Sequence, residues 1–137
     1  MAITHKYTLL CDDIRREDNG KFIILGLYTP DVVVPSVPFG LPSLCFFSVL
    51  DTDTTGPWEF NFTLKQSETI LAGGSGKIVV QGRGTVPIPL RLGPLLLPSA
   101  GPYSFTLNIA GTGEITHEFS VNLAVRDLGQ PTPRGVH

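Results

Sequence analysis

A tight turn between two apolar runs constrains the fold of this chain more than any other feature. The turn is Asp18-Asn19-Gly20-Lys21, and the apolar run at residues 22–28 follows it directly. Asn and Gly both tolerate the positive φ of a primed turn, so Asn-Gly between two strand-like runs is a strong hairpin signal. The sequence therefore predicts that the chain begins with a β-hairpin.

Alternating apolar and polar residues predict further strands along the chain. The clearest case is a second hairpin, in which Tyr103, Phe105, Leu107 and Ile109 share the inward face. Residues 29–42 and 85–102 are rich in proline, which cannot donate to a central strand, so both segments are predicted at sheet edges or as connections. Residues 66–75 are predicted to form a polar loop.

Frequent turn signals and the lack of a helical apolar stripe favour an all-β fold. We predict an antiparallel β-sandwich of seven or eight strands with an immunoglobulin-like or related Greek-key topology, and a small β-barrel is the alternative. The length of 137 residues fits one domain, predicted at residues 1–127. The Gly- and Pro-rich residues 128–137 are predicted to form a flexible tail.

Charge and hydropathy argue against several classes of partner. The formal net charge is −2 and the pI is about 5.8, which gives nucleic acid or an anionic membrane no electrostatic reason to bind. No apolar stretch approaches the roughly 18 residues of a membrane span, and the N-terminus does not resemble a signal peptide. We therefore expect a cytoplasmic protein in which Cys11 and Cys45 are reduced and buried.

Several short motifs resemble those of a known family. They are Cys11-Asp12-Asp13, Asn19-Gly20-Lys21, residues 24–28 and the run Ala100-Gly101-Pro102-Tyr103-Ser104-Phe105. Together they resemble a family of small uncharacterised bacterial domains of unknown function, over most of residues 7–126. The resemblance implies a bacterial β-sandwich without catalytic residues.

No motif in the sequence predicts a catalytic residue, cofactor or metal with the required partners. The run from Gly73 to Lys77 resembles a phosphate loop, but Ile78 replaces the Ser or Thr that would hold magnesium. His117 is isolated from any second histidine, cysteine or serine at a usable spacing. Five carboxylates could converge at one end of a sandwich and hold calcium, although such groups are more often solvated turn formers: Asp12, Asp13, Asp18, Asp51 and Asp53.

Two predicted strands, at residues 22–28 and 44–50, are apolar on both faces. Such strands need a cover on each side, supplied either by the proline-rich segments of the same chain or by another subunit. We predict a non-enzymatic interaction module that forms a homo-oligomer or docks onto a protein of a larger bacterial assembly. A calcium- or carbohydrate-binding β-sandwich is the alternative. The predicted interface comprises apolar residues of the second proline-rich segment: Val86, Ile88, Leu90, Leu95, Leu96 and Leu97.

Overall fold

The computed structural model describes residues 3–29, 31–53, 55–80, 82, 84–110 and 113–124 of the chain. Over these residues the chain forms eleven β-strands and no helix, so no helix there could cross a membrane. The strands are β1 (Ile3–Arg16), β2 (Phe22–Tyr28), β3 (Val32–Val34), β4 (Phe39–Leu41), β5 (Leu44–Thr52), β6 (Gly56–Gln66), β7 (Thr69–Val80), β8 (Gly84–Leu92), β9 (Leu95–Leu97), β10 (Gly101–Ile109) and β11 (Gly113–Leu123).

Most of these strands belong to two sheets that pack face to face. The first sheet has the order β2-β1-β5-β8, and the second has the order β3-β11-β10-β6-β7. Strands β4 and β9 form a separate two-stranded ribbon. Every pairing is antiparallel except that of β3 with β11. The predicted β-sandwich is confirmed.

The number of strands exceeds the predicted seven or eight because short strands form inside proline-rich segments. Strands β3, β4 and β9 have three residues each and lie in stretches that were expected to be connections or edges. The edge prediction is confirmed for β8, which pairs with β5 alone. The predicted tail at residues 128–137 lies outside the described residues.

Both predicted hairpins are present. In the first, the turn at residues 17–21 is closed by a 2.8 Å hydrogen bond from the Glu17 amide to the Lys21 carbonyl, and Gly20 has a φ of 87°. In the second, β10 pairs with β11 along its whole length. The inward row of β10 is almost completely buried, and the Phe105 ring stacks on Phe46 of β5 with centroids 4.1 Å apart. This stack joins the two sheets across the core.

Strand β7 corrects the loop predicted at residues 66–75. It begins at Thr69 and follows β6 to Val80. A Cβ on Gly74 would lie 2.9 Å from the Phe62 ring, and one on Gly76 would lie 2.6 Å from the Phe60 ring. The glycines therefore leave room for two core rings rather than making the segment flexible.

The first sheet curls so that β1 approaches β8, two strands away. The guanidinium of Arg91 on β8 donates to the Asp13 carboxylate and to the Ile14 carbonyl on β1, the latter at 3.3 Å. Ser43 donates a 2.6 Å hydrogen bond to the Asp12 carbonyl just before β5 begins. The hydrogen bonds hold the tip of the first hairpin over the outer face of the sheet, the face turned away from the second sheet.

Candidate interaction surface

Strand β5 is sheltered on both faces by the chain itself. Leu44, Phe46 and Leu50 belong to the central core, whereas Phe47 and Val49 alternate with them and point to the outer face. On that face Phe47 and Val49 are only 8% and 4% exposed. Of the two covers that the sequence left open, the same chain or another subunit, the chain itself therefore supplies the cover of residues 44–50.

The cover of β5 comes from neighbouring strands and from the curled hairpin. The Phe22 ring meets the Phe47 ring edge to face, with centroids 5.1 Å apart. Leu9 and Pro89 are the register partners of Phe47 on its two sides. Because strand register partners share a face, these side chains pack around the ring and exclude water from it.

Strand β2 differs because its outer face is exposed. Ile23, Leu25 and Leu27 are 39%, 41% and 48% exposed, and they occupy alternate positions on one face. Strand β2 pairs with β1 on one side and forms the edge of the first sheet on the other. The three side chains therefore form an apolar row, which we call the β2 row, beside an edge to which no other described strand is paired.

A glycine and a carboxylate fix the shape of β2 at this row. Gly26 has a φ of 68°, and a Cβ there would lie 2.2 Å from Oδ2 of Asp12. The Tyr28 hydroxyl donates a 2.6 Å hydrogen bond to Oδ1 of the same carboxylate. Burial raises the pKa of Tyr28, and the hydrogen bond to Asp12 raises it further, so the hydroxyl stays a proton donor at neutral pH.

The interface residues predicted from the sequence are divided between the core and the surface. Ile88, Leu95 and Leu97 are buried in the core, while Val86 and Leu90 are half-buried against it. Leu96 is 58% exposed on the β4–β9 ribbon. The predicted stripe is thus reduced to one exposed leucine, because alternate residues of β8 and β9 face the core.

The five carboxylates considered for calcium do not come together. Asp12 and Asp13 lie near the start of β5, whereas Asp51 lies near its other end, hydrogen-bonded to Thr85 at 3.0 Å. Asp18 lies in the turn at the hairpin tip, and Asp53 follows the end of β5. In the part of the chain that the structure describes, no three His, Cys, Asp or Glu side chains form a group that could hold a metal ion.

The Asp13 carboxylate is held by two arginines. Arg15 donates to it at 3.2 Å, and Arg91 donates from β8. Burial alone would raise the pKa of Asp13, but the hydrogen bond from Arg15 and the charge of Arg91 outweigh it and lower the pKa. Asp13 therefore anchors the curl of the first sheet in its ionised form.

Cys11 and Cys45 are register partners on adjacent strands, and both are free and fully buried. Burial raises the pKa of Cys11 to about 11, and the neighbouring Cys45 thiol adds to the shift. Burial also raises the pKa of Cys45. Both thiols stay protonated at neutral pH, which makes them poor nucleophiles.

A buried polar chain escaped the sequence analysis. Thr8 and Ser48 are register partners whose hydroxyls lie 2.9 Å apart, and Nε2 of His5 lies 2.8 Å from the Thr8 hydroxyl. Ser48 is completely buried, so its hydroxyl cannot reach a substrate. Burial lowers the pKa of His117, and the charge of His5 lowers it further. The sequence signal that could have revealed the group of Thr8, Ser48 and His5 is the presence of polar residues at inward positions of otherwise apolar strands.

The outer face of the second sheet is polar. Asn61 on β6 has Ser75 and Asn108 as register partners on its two sides. Beside them Lys77 and Glu59 form an exposed ion pair with 4.0 Å between the charged atoms. These five side chains line an open groove of about 530 Å³.

The sequence matches a family of unknown function, DUF6941, over residues 6–122. The chain belongs to this family. The match covers every strand that builds the two sheets except the first residues of β1 and the last residue of β11. It agrees with the resemblance drawn from the sequence motifs, and it brings no activity with it.

The DUF6941 chain is also similar to part of a larger enzyme of known structure. The β-glucosidase from Listeria innocua matches with a TM-score of 0.48 and 10% identity over 88% of this chain. Its complex with glucose matches with the same score and 9% identity. The chain spans only 16% of either enzyme, and matches this weak carry no information on ligand or activity. No curated protein matches the sequence.

Proposed function

We propose that this protein is a non-enzymatic, cytoplasmic interaction module that associates through the β2 row, either with a second copy or with a protein of a larger assembly. The observation that carries the proposal is the exposure of Ile23, Leu25 and Leu27 beside a strand edge that is unpaired within the described part of the chain. Exposed apolar edge strands invite pairing with another chain, and proteins normally cover or blunt them. A partner on this edge would supply that cover.

The chemistry of the remaining groups supports a binding role over catalysis. The two thiols are buried with raised pKa values, and the Ser48 hydroxyl is enclosed in the core. Arg91 and Arg15 are engaged in holding Asp13. Each of these thiol, hydroxyl and guanidinium groups thus has a structural partner or no access to solvent.

Light scattering on the purified protein tests self-association. We expect a mass above the 14.8 kDa of one chain at tens of micromolar, and we expect Leu25→Glu to lower it toward one chain. Val79→Glu is the matched control, because Val79 is an exposed apolar residue on β7, the edge strand of the second sheet. It should leave the mass unchanged.

A wild-type mass of one chain over the whole concentration range would contradict self-association. The β2 row would then be tested against a heterologous partner by pull-down from the source cell, comparing Leu25→Glu with Val79→Glu as baits. Recovery of the same proteins by both baits would contradict binding through β2.

Glycan binding is a second candidate, favoured by the polar groove on the second sheet. Amide, hydroxyl, carboxylate and ammonium groups converge there, from Asn61, Asn108, Ser75, Glu59 and Lys77. A ligand that binds the folded state raises the melting temperature by mass action. A rise with an oligosaccharide that Asn61→Leu abolishes would support this function, and no shift across a glycan panel would reject it.

A further inference from the structure

The curl of the first sheet forms an open cavity that the interaction surface does not use. Its walls are apolar and come from Ile14 and Phe22 of the first hairpin and from Pro89 and Leu90 of β8. The buried Cys45 thiol contributes to its floor. The cavity volume is about 240 Å³, which is room for about eight non-hydrogen atoms at the roughly 30 Å³ that a water molecule occupies in the liquid.

Two arginines line the mouth of this apolar cavity. Arg91 is held by Asp13, but the Arg16 guanidinium lies 5.3 Å from the centre of the Phe22 ring and has no carboxylate partner among the described residues. Arg15 adds a third guanidinium to the group, against the two nearby carboxylates of Asp13 and Asp12. The mouth therefore carries an excess of positive charge beside a surface that favours hydrocarbon.

An apolar cavity with a free guanidinium at its rim matches a ligand with an apolar tail and an anionic head. Guanidinium binds carboxylates through two parallel hydrogen bonds, and the planar fork of Arg16 is already oriented by its ring contact. We propose that this cavity binds a small aliphatic carboxylate, with the tail between Phe22 and Pro89 and the head on Arg16. This site does not depend on association through the β2 row.

Titration calorimetry with octanoate tests the site. We expect saturable one-to-one binding with a Kd of about 1 mM or tighter, and clearly weaker binding of 1-octanol, which lacks the charge. N-acetyl-leucine tests a peptide terminus as the source of the same chemistry. If octanoate binds more tightly than N-acetyl-leucine, the ligand is a free aliphatic acid. If N-acetyl-leucine binds more tightly, that assignment is overturned in favour of a peptide C-terminus.

Three variants locate the binding on the protein. Arg16→Gln should weaken octanoate binding roughly tenfold, because it removes the charged partner from the rim. Pro89→Trp should abolish binding by filling the cavity from an exposed position of β8. Lys65→Gln removes one positive charge from the second sheet and should leave the affinity unchanged.

The proposal is overturned by any of three results. These are an absence of saturable binding up to about 10 mM octanoate, equal binding of octanoate and octanol, or equal effects of Arg16→Gln and Lys65→Gln. A circular dichroism spectrum of each variant confirms that the β-sandwich is intact. None of these results would bear on the oligomeric state, so the two proposals fail separately.

Discussion

Single residues set the local shape of the first hairpin. Gly26 adopts a positive φ in the middle of β2, and the Asp12 carboxylate occupies the space that a side chain would need. The sequence shows Gly26 as an interruption in an apolar run but does not reveal the carboxylate packed against it. That contact depends on the register of β1 with β2, which only the folded hairpin defines.

Gly26→Ala should destabilise the protein more than Gly20→Ala. Both glycines have a positive φ, which costs an L-residue about 1 kcal/mol, but the space at Gly20 is open. At Gly26 the new Cβ would also displace Asp12 and break its hydrogen bond with Tyr28, for a total of about 3 kcal/mol. Urea denaturation of both variants measures the difference, and equal losses of stability would show that Asp12 moves aside freely.

Acid should weaken the curl through Asp13. Its pKa is lower in the folded protein than the ordinary 3.8, so the folded state binds the proton less tightly than the unfolded state does. The stabilisation is therefore complete above the unfolded pKa and is lost as the pH falls from about 4 through the folded pKa. Arg91→Gln should reduce this acid-dependent loss, measured as the change in unfolding free energy between neutral and acidic buffer. A loss equal to that of the wild type would contradict the role of Arg91.

At the scale of elements, the alternation of apolar and polar residues predicted strands best where one face of the strand is exposed to solvent. Strands β10 and β11 alternate cleanly, and their hairpin follows directly from the sequence. Strand β7 was mistaken for a loop because Gly73, Gly74 and Gly76 carry no hydropathy signal. The purpose of Gly74 and Gly76 is visible only beside the Phe62 and Phe60 rings, which lie on a different strand.

The tip of the first hairpin should control access to the Cys45 thiol. Phe22→Ala removes the ring that covers Phe47 and lines the cavity above Cys45. We expect a loss of about 2 kcal/mol in stability and a faster reaction of one thiol with a thiol-specific reagent under native conditions. Phe62→Ala is the control, since Phe62 packs on the second sheet, away from Cys45. A labelling rate as slow as in the wild type would show that the hairpin tip does not shield the thiol.

At the scale of the whole molecule, the sequence identified two strands with apolar residues on both faces but not whether the chain itself covers them. Strand β5 is covered by the curl, and the curl depends on long-range contacts such as that between Asp13 and Arg91. Strand β2 was expected to need a cover for the same reason, and its row stays exposed. The same sequence pattern, apolar residues on both faces of a strand, thus occurs in one strand that the chain covers and in another that it leaves exposed.

Association through the β2 row should make thermal stability depend on protein concentration. A folded state stabilised by a second copy melts at a higher temperature as the concentration rises. Leu25→Glu should remove this dependence, whereas Val79→Glu should keep it. Differential scanning calorimetry over a hundredfold dilution measures the effect, and a constant wild-type melting temperature would contradict self-association.

The prolines of β8 disfavour the pairing of a further chain with this edge of the first sheet. Pro87 and Pro89 remove the amide donors from two alternate positions of the strand at the opposite edge of the first sheet. A strand without these donors is a poor template for a further chain. If molecules associate through the β2 row as proposed, growth of the first sheet therefore ends at a closed pair instead of running on into a fibre.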